Sequence, residues 1–174
     1  MTAVSRMWAA GLLLTGLSAC QAEGPAPQAS SNFIKVNFDG QTKTYTNASL
    51  GEGRLCSLSS YSISGGNAAG DDLSITIFAT KAGTYPYRQD VNVYHDGSQV
   101  EYKTGGEVFN NYKALVCPTS AGYYSTVGQV VVTEYVPGQR VRGTFAGALL
   151  NPNDPNECSK QGKLFSGEFY WVKH

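Results

Sequence analysis

Apolar and polar residues alternate with a period of two along most of the chain after position 32, and no helix-length stretch carries an apolar stripe. This alternation is typical of strands with one buried face. It predicts nine strands: Phe33–Phe38, Thr42–Thr46, Leu55–Ser64, Leu73–Ala79, Val91–Tyr94, Gln99–Lys103, Gln129–Val136, Val141–Leu150 and Leu164–Val172. Short strands at this spacing predict an all-β fold, an antiparallel β-sandwich over residues 32–174.

Three short segments carry the residue types of hairpin turns. They are Asp39-Gly40, His95-Asp96-Gly97-Ser98 and Pro137-Gly138-Gln139. Asp-Gly and related pairs tolerate the positive φ angles of two-residue hairpins, so each segment is expected to join two strands. The register around Pro137-Gly138 stays open, because a slip of one residue would move Glu134 from the solvent face to the core.

The last third of the chain has the most regular pattern, in which glycine alternates with large apolar residues. One predicted strand places Val141, Gly143, Phe145, Gly147 and Leu149 on one face. The final strand places Phe165, Gly167, Phe169 and Trp171 on one face. We expect these faces to form the core, with aromatic rings lying over the bare backbone of glycines in a neighbouring strand.

Composition limits the function classes. The chain has 174 residues, enough for one domain, with 13 Lys+Arg against 13 Asp+Glu. A balanced charge gives no electrostatic field to gather a polyanion, so nucleic acid is not an expected partner.

The N-terminal segment has the features of an export signal. Arg6 precedes an apolar stretch, Met7–Leu14, which is followed by Leu17-Ser18-Ala19-Cys20. The apolar stretch is too short to cross a hydrocarbon core of about 30 Å. The tetrad resembles the processing site of bacterial lipoproteins. A plain secretory signal cut near Ala22 is the alternative, and both interpretations remove residues 1–19.

The resemblance to lipoproteins implies that the thiol of Cys20 is acylated and that the mature protein is anchored in a membrane by acyl chains. Gln21 follows, where an inner-membrane retention signal in enteric bacteria has Asp, so the family favours the outer membrane, facing the periplasm or the cell surface. Residues 21–31 have two prolines and no apolar period, which predicts a disordered tether. The expected organisation is signal peptide 1–19, lipidated N-terminus and tether 20–31, and sandwich 32–174.

Three segments of the body carry a second, weaker resemblance. They are Gly128-Gln-Val-Val-Val-Thr, Gly143-Thr-Phe-Ala-Gly and Gly167-Glu-Phe-Tyr-Trp. The set resembles the C-terminal strands of uncharacterised bacterial β-sandwich lipoproteins, covers about a third of the chain and implies no activity.

Three cysteines remain after Cys20: Cys56, Cys117 and Cys158. In an exported protein, one disulfide and one thiol is the simplest arrangement. Antiparallel pairing across Pro137-Gly138 brings the segments of Cys117 and Cys158 to one end of the sheet, so we expect this pair to be bonded and Cys56 to be a buried thiol. A bond between Cys56 and Cys117 is the alternative. The spacing of a zinc site is absent.

The chain offers little catalytic material. It has two histidines, His95 in a predicted turn and His174 at the terminus. We therefore expect no catalytic residue and no cofactor. A carboxylate pair for glycoside hydrolysis stays open, because distant strands could bring together two of Asp72, Glu101, Glu107 and Glu168.

Oxygen ligands for Ca²⁺ are dense in one loop, although an exposed turn uses the same residues. They are Asn151, Asn153, Asp154, Asn156 and Glu157.

Tyrosine is abundant, with 11 residues. Exposed tyrosines could stack on sugars or anchor a partner, whereas buried ones would only pack. The candidates are Tyr85, Tyr87, Tyr94, Tyr102, Tyr112, Tyr123 and Tyr124.

The expected function is a non-catalytic envelope lipoprotein that binds an envelope protein or glycan or has a structural role. The alternative is a small lipid-anchored hydrolase that acts on envelope glycans.

Overall fold

A computed structural model describes residues 32–55, 58–87, 96–111, 126–153 and 162–174. These residues form eleven strands in two antiparallel sheets that pack face to face, which confirms the predicted all-β sandwich. The strands are β1 (Phe33–Phe38), β2 (Gln41–Tyr45), β3 (Ser49–Leu55), β4 (Leu58–Gly66), β5 (Asp72–Ile77), β6 (Gly83–Pro86), β7 (Ser98–Thr104), β8 (Glu107–Asn110), β9 (Gly128–Val136), β10 (Arg140–Leu149) and β11 (Lys163–Val172).

The six-stranded sheet has the order β2-β1-β11-β10-β9-β6, and the five-stranded sheet has the order β3-β4-β5-β7-β8. The inner faces of both sheets carry the alternate apolar residues that form one core, as the period of two requires. None of the described ranges forms a helix with the length and apolar character needed to span a bilayer.

The strand predictions fail mainly at sheet edges. Strands β3, β6 and β8 were not predicted, and each lies at the edge of a sheet. β3 contains Gly51 and Gly53 and is exposed over much of its length, so it lacks the apolar alternation of a half-buried strand. The predicted strand Leu55–Ser64 is wrong at its start, because β3 ends at Leu55 and β4 begins at Leu58. The predicted strand Val91–Tyr94 lies outside the described residues.

Two of the three predicted hairpin turns are confirmed. Asp39 and Gly40 have φ angles of 51° and 81° and join β1 to β2. Pro137-Gly138 joins β9 to β10, with the amide of Gln139 donating to the carbonyl of Val136 at 3.0 Å. In the third segment Asp96 has a φ of 52°, but His95 and the expected partner strand lie outside the described residues.

The sequence left the register of the β9–β10 hairpin undecided, and the structure shows that this hairpin contains a bulge. Arg142 pairs with Glu134, whereas Gly143 pairs with Val132, so one residue of β9 is extra. Glu134 stays on the solvent side, where its carboxylate accepts a hydrogen bond of 2.7 Å from Nε of Arg140.

Glycine and phenylalanine face each other directly across β10 and β11. Phe145 pairs with Gly167 and Gly143 pairs with Phe169. A Cβ added to Gly167 would lie 2.5 Å from Cζ of Phe145 and against the carbonyl of Lys35, and one added to Gly143 would lie 2.5 Å from Cζ of Phe169. The rings therefore occupy the space of the missing side chains, as the alternation predicts.

We predict that Gly167→Ala destabilises the protein by about 1–3 kcal/mol, because the new methyl group overpacks the centre of the core. Gly53→Ala is the matched control, since a Cβ at Gly53 has no atom within 4 Å, and this change should be neutral or stabilise by up to about 1 kcal/mol. Urea denaturation measures both. Equal unfolding midpoints for the two variants would contradict the packing described here.

Candidate functional site

A cleft of about 180 Å³ lies where the β1–β2 turn, the β7–β8 turn and the start of β11 meet. We call it the end cleft. Its floor consists of the buried rings of Phe38, Tyr102 and Phe109. Charged and polar side chains form its rim and wall: Asp39, Gln41, Lys43, Thr104, Glu107 and Lys163. The cleft therefore combines an apolar base with polar groups contributed by both sheets.

The floor of the end cleft is a close-packed aromatic cluster. The ring centroids of Phe38 and Phe109 are 4.8 Å apart, and those of Phe38 and Tyr102 are 5.2 Å apart at 78°. Phe38, the most accessible of the three, is 8% exposed. These edge and tilted contacts bring together residues from both sheets and fix the base of the cleft.

Lys163 covers this aromatic floor. Its Nζ lies 5.3 Å from the ring centroid of Phe109 and 5.8 Å from that of Phe38, within the range of cation–π attraction. The same Nζ lies 3.5 Å from Oδ2 of Asp39, on the β1–β2 turn. The amide of Asp39 donates to the carbonyl of Leu164 at 2.9 Å, so the turn is fixed against the start of β11.

An ion pair forms the wall of the cleft. Nζ of Lys43, on the edge strand β2, lies 2.8 Å from Oδ2 of Asp71 and donates to Oγ1 of Thr104 at 2.9 Å. Asp71 is 8% exposed, and it also accepts a hydrogen bond of 2.9 Å from Nδ2 of Asn67. Lys43 belongs to the six-stranded sheet, whereas Thr104 ends β7 of the five-stranded sheet and Asp71 directly precedes β5, so this network ties the two layers together beside the cleft.

The ionisation of the pair follows from these contacts. The hydrogen bond from Lys43 lowers the pKa of Asp71 below its ordinary value, and burial opposes this effect. The same hydrogen bond raises the pKa of Lys43, again against burial. Beside them, the hydroxyls of Tyr45 and Tyr102 share a hydrogen bond of 2.9 Å, and burial followed by this bond raises the pKa of Tyr45. Lys43 and Asp71 are therefore both charged at neutral pH.

The four carboxylates named from the sequence do not meet at one site. Glu107 lines the end cleft. Asp72 and Glu101 alternate with buried residues and lie on the outer face of the five-stranded sheet, where Asp72 is opposite Lys103. Glu168 lies on the outer face of the other sheet.

Three of the candidate tyrosines lie among the described residues, and all three pack into the core. Tyr85, Tyr87 and Tyr102 are at most 2% exposed, so none of them contributes to an exposed aromatic surface. Tyr87 lies against Gly128 and Gly147, which leave room for its ring. The remaining candidates, Tyr94, Tyr112, Tyr123 and Tyr124, lie outside the described residues.

The predicted disulfide and lipidation site also lie outside the described residues, since Cys20, Cys56, Cys117 and Cys158 are not among them. In the loop whose oxygen ligands could suit Ca²⁺ or an exposed turn, the side-chain oxygen of Asn151 accepts a hydrogen bond from the amide of Asn153 at 2.9 Å, which closes a local turn. Asp154, Asn156 and Glu157 of that loop are not described. Within the described ranges, no group of three or more His, Cys, Asp or Glu could hold a metal ion.

No protein-family model, no curated protein and no solved structure matches the chain. Sequence reasoning named Glu107 but not Lys43, Asp71 or Lys163. A lysine on the same face of β2 as the apolar Tyr45 was the available signal, because a cation on the inner face of a strand needs a partner.

We predict that Lys43→Met destabilises the protein by about 1.5–3 kcal/mol, because it leaves the buried carboxylate of Asp71 without its charged donor. Lys35→Met, at an exposed position of the neighbouring strand β1, is the matched control and should change stability by less than about 0.5 kcal/mol. Urea denaturation at neutral pH compares the two. A loss in Lys43→Met no larger than in the control would contradict a stabilising ion pair.

Asp71 also makes stability depend on pH. A carboxyl group whose pKa is lowered by folding contributes stability above its unfolded pKa, and this contribution is lost as the pH falls through the folded value. Between the ordinary Asp pKa of 3.8 and the lower folded value, the wild-type protein should therefore lose stability more steeply than Asp71→Asn. Denaturation midpoints at neutral pH and at about pH 3 measure the difference. Parallel losses would show that Asp71 does not contribute.

Proposed function

We propose that this protein is a lipid-anchored lipoprotein of the bacterial envelope and that its β-sandwich is a non-catalytic binding module. The observation that carries the proposal is the position of the end cleft relative to the start of the folded body. The anchor, if Cys20 is acylated, would join the sandwich at one end, whereas the cleft opens at the other.

The course of two paired strands supports this arrangement. β1 runs from Phe33 to Phe38, which lines the cleft, and five strand steps span about 17 Å. β11 runs in the opposite direction, from Lys163 in the cleft to Val172. The side-chain oxygen of Asn32 accepts the amide of Val172 at 2.8 Å, so the first described residue is fixed at the end away from the cleft.

This geometry suits a receptor tethered by its N-terminus. The sequence predicts a flexible segment at residues 21–31, which would hold the sandwich near the bilayer. The end cleft would then be directed towards the envelope space, where an envelope protein or glycan could reach it. Localisation in the outer membrane is part of the same proposal.

A hydrolase acting on envelope glycans is the second candidate, because the carboxylates of Asp39 and Glu107 line the same cleft. A general acid in a glycosidase needs a pKa raised by apolar surroundings. Both carboxylates are exposed, which favours binding over catalysis. Release of soluble fragments from isolated envelope glycan, lost in Glu107→Gln, would instead support the hydrolase.

We predict that Cys20→Ala abolishes acylation, since the thiol is the only attachment point that the lipobox supplies. Bacteria that express the chain with labelled fatty acid should incorporate label into the wild-type protein and into Cys56→Ala, the matched control. Cys20→Ala should accumulate as unlabelled, uncleaved precursor. Normal cleavage of Cys20→Ala, together with no label in the wild-type protein, would overturn the anchor and leave a plain secretory signal.

A further inference from the structure

We propose that the end cleft binds a small zwitterion of the α-amino acid type, with an ammonium and a carboxylate group on the same carbon atom. This inference rests on the proposed function, because it takes the end cleft as the binding site, and it replaces the envelope protein or glycan there with a small ligand. The carrying observation is that charges of both signs surround an aromatic floor that is itself closed to a ligand.

The burial of the floor argues against a stacked sugar. Tyr102 and Phe109 are 1% and 2% exposed, and the ammonium of Lys163 lies over the rings of Phe38 and Phe109. A sugar that stacks on an aromatic side chain needs an accessible ring face. An incoming molecule therefore meets the charged rim of the cleft before it meets any ring.

The cleft offers free charges of both signs. Lys43 is neutralised by Asp71, so the charges open to a ligand are those of Lys163, Asp39 and Glu107. A lone anion would be repelled by the two carboxylates, and a lone cation would be repelled by Lys163. A molecule that carries both charges can satisfy Lys163 and Glu107 at once, which favours a zwitterion.

Individual contacts assign the two ends of this ligand. Lys163 lies 3.5 Å from Asp39, a separation longer than a charge-assisted hydrogen bond, so its ammonium can donate to a ligand carboxylate. Among the residues that the structure describes, Glu107 makes no ion pair, and it can accept a ligand ammonium. Lys43 is held by Asp71 and Thr104 and forms a fixed wall.

The size of the cleft sets the size of the ligand. Its volume of about 180 Å³ is below the roughly 300–1,000 Å³ of pockets for drug-sized ligands. A compact amino acid such as alanine suits this volume. The same groups could come from a free amino acid, which carries both charges, or from a peptide end, which carries one.

Three ligands of matched size separate these sources. Alanine carries both charges, N-acetylalanine carries only the carboxylate of a peptide C-terminus, and alaninamide carries only the ammonium of a peptide N-terminus. Isothermal titration of the full chain in detergent should give alanine a Kd in the millimolar range or tighter. The other two should bind at least tenfold more weakly, a difference of about 1.4 kcal/mol.

Two variants test the assigned ends. Lys163→Gln should weaken alanine binding at least tenfold and leave alaninamide binding unchanged, whereas Glu107→Gln should weaken alanine binding and leave N-acetylalanine binding unchanged. Lys35→Gln and Glu101→Gln, on the outer faces of the two sheets, are the matched controls and should bind alanine as the wild type does. Thermal unfolding of each variant verifies that it is folded.

Absence of heat and of any chemical-shift change with alanine at about 50 mM would overturn the inference, because even a Kd of a few millimolar would then saturate the site. Equal binding of the three ligands, or unchanged binding in both rim variants, would overturn it as well. If N-acetylalanine or alaninamide binds more tightly than alanine, the ligand is one end of a peptide and not a free amino acid, and the inference is wrong. The acylation of Cys20 is measured separately, so a failure of the ligand class is distinguishable from a failure of the anchor.

Discussion

The direct pairing of glycine with phenylalanine across β10 and β11 is the constraint on which the rest of the sandwich depends. Each ring occupies the space of an absent side chain, as Phe145 does over Gly167, so the two strands can pack in only one register. A slip of one residue would place Phe145 opposite Ser166 or Glu168 and move the apolar face to solvent, and a slip of two would place it opposite another phenylalanine. β1 and β9 pair with the outer edges of these two strands, and their positions follow from the same register.

The two sheets are joined at their margins by polar contacts that reach inward from edge strands. Lys43 of β2 binds Asp71, and Glu52 of β3 accepts hydrogen bonds from the hydroxyl of Tyr135 at 2.7 Å and the amide of Gly138 at 2.8 Å. Inward charges also make an edge strand a poor template for pairing with another chain, because a new strand would have to accommodate them. Pro86 on the edge strand β6 also discourages pairing with another chain, because proline has no backbone N–H to donate. The edges of the sheets are therefore linked to the opposite sheet and protected from pairing with another chain.

The end cleft is a product of this arrangement. One sheet contributes the β1–β2 turn and the start of β11, and the other contributes the β7–β8 turn, so charges that are far apart in sequence meet over one aromatic floor. The ion pair of Lys43 and Asp71 fixes the separation of the sheets beside the cleft, which leaves Lys163, Asp39 and Glu107 exposed on its rim. Stability and the proposed recognition thus involve different charges at the same end of the sandwich.

The strands and turns that depend only on residues close together in the chain could be predicted from the sequence. The period of two predicted the central strands, the Asp39-Gly40 pair predicted a turn with two positive φ angles, and alternating Gly and Phe predicted rings over bare backbone. Edge strand β3 escaped prediction because a strand that is exposed and contains Gly51 and Gly53 carries no buried alternation. Of the charged residues that line the end cleft, only Glu107 was named from the sequence. The contacts of Lys43 with Asp71 and of Lys163 with Asp39 required the tertiary structure, because they join residues 28 and 124 positions apart, and no periodicity records which distant charges two packed sheets will bring together.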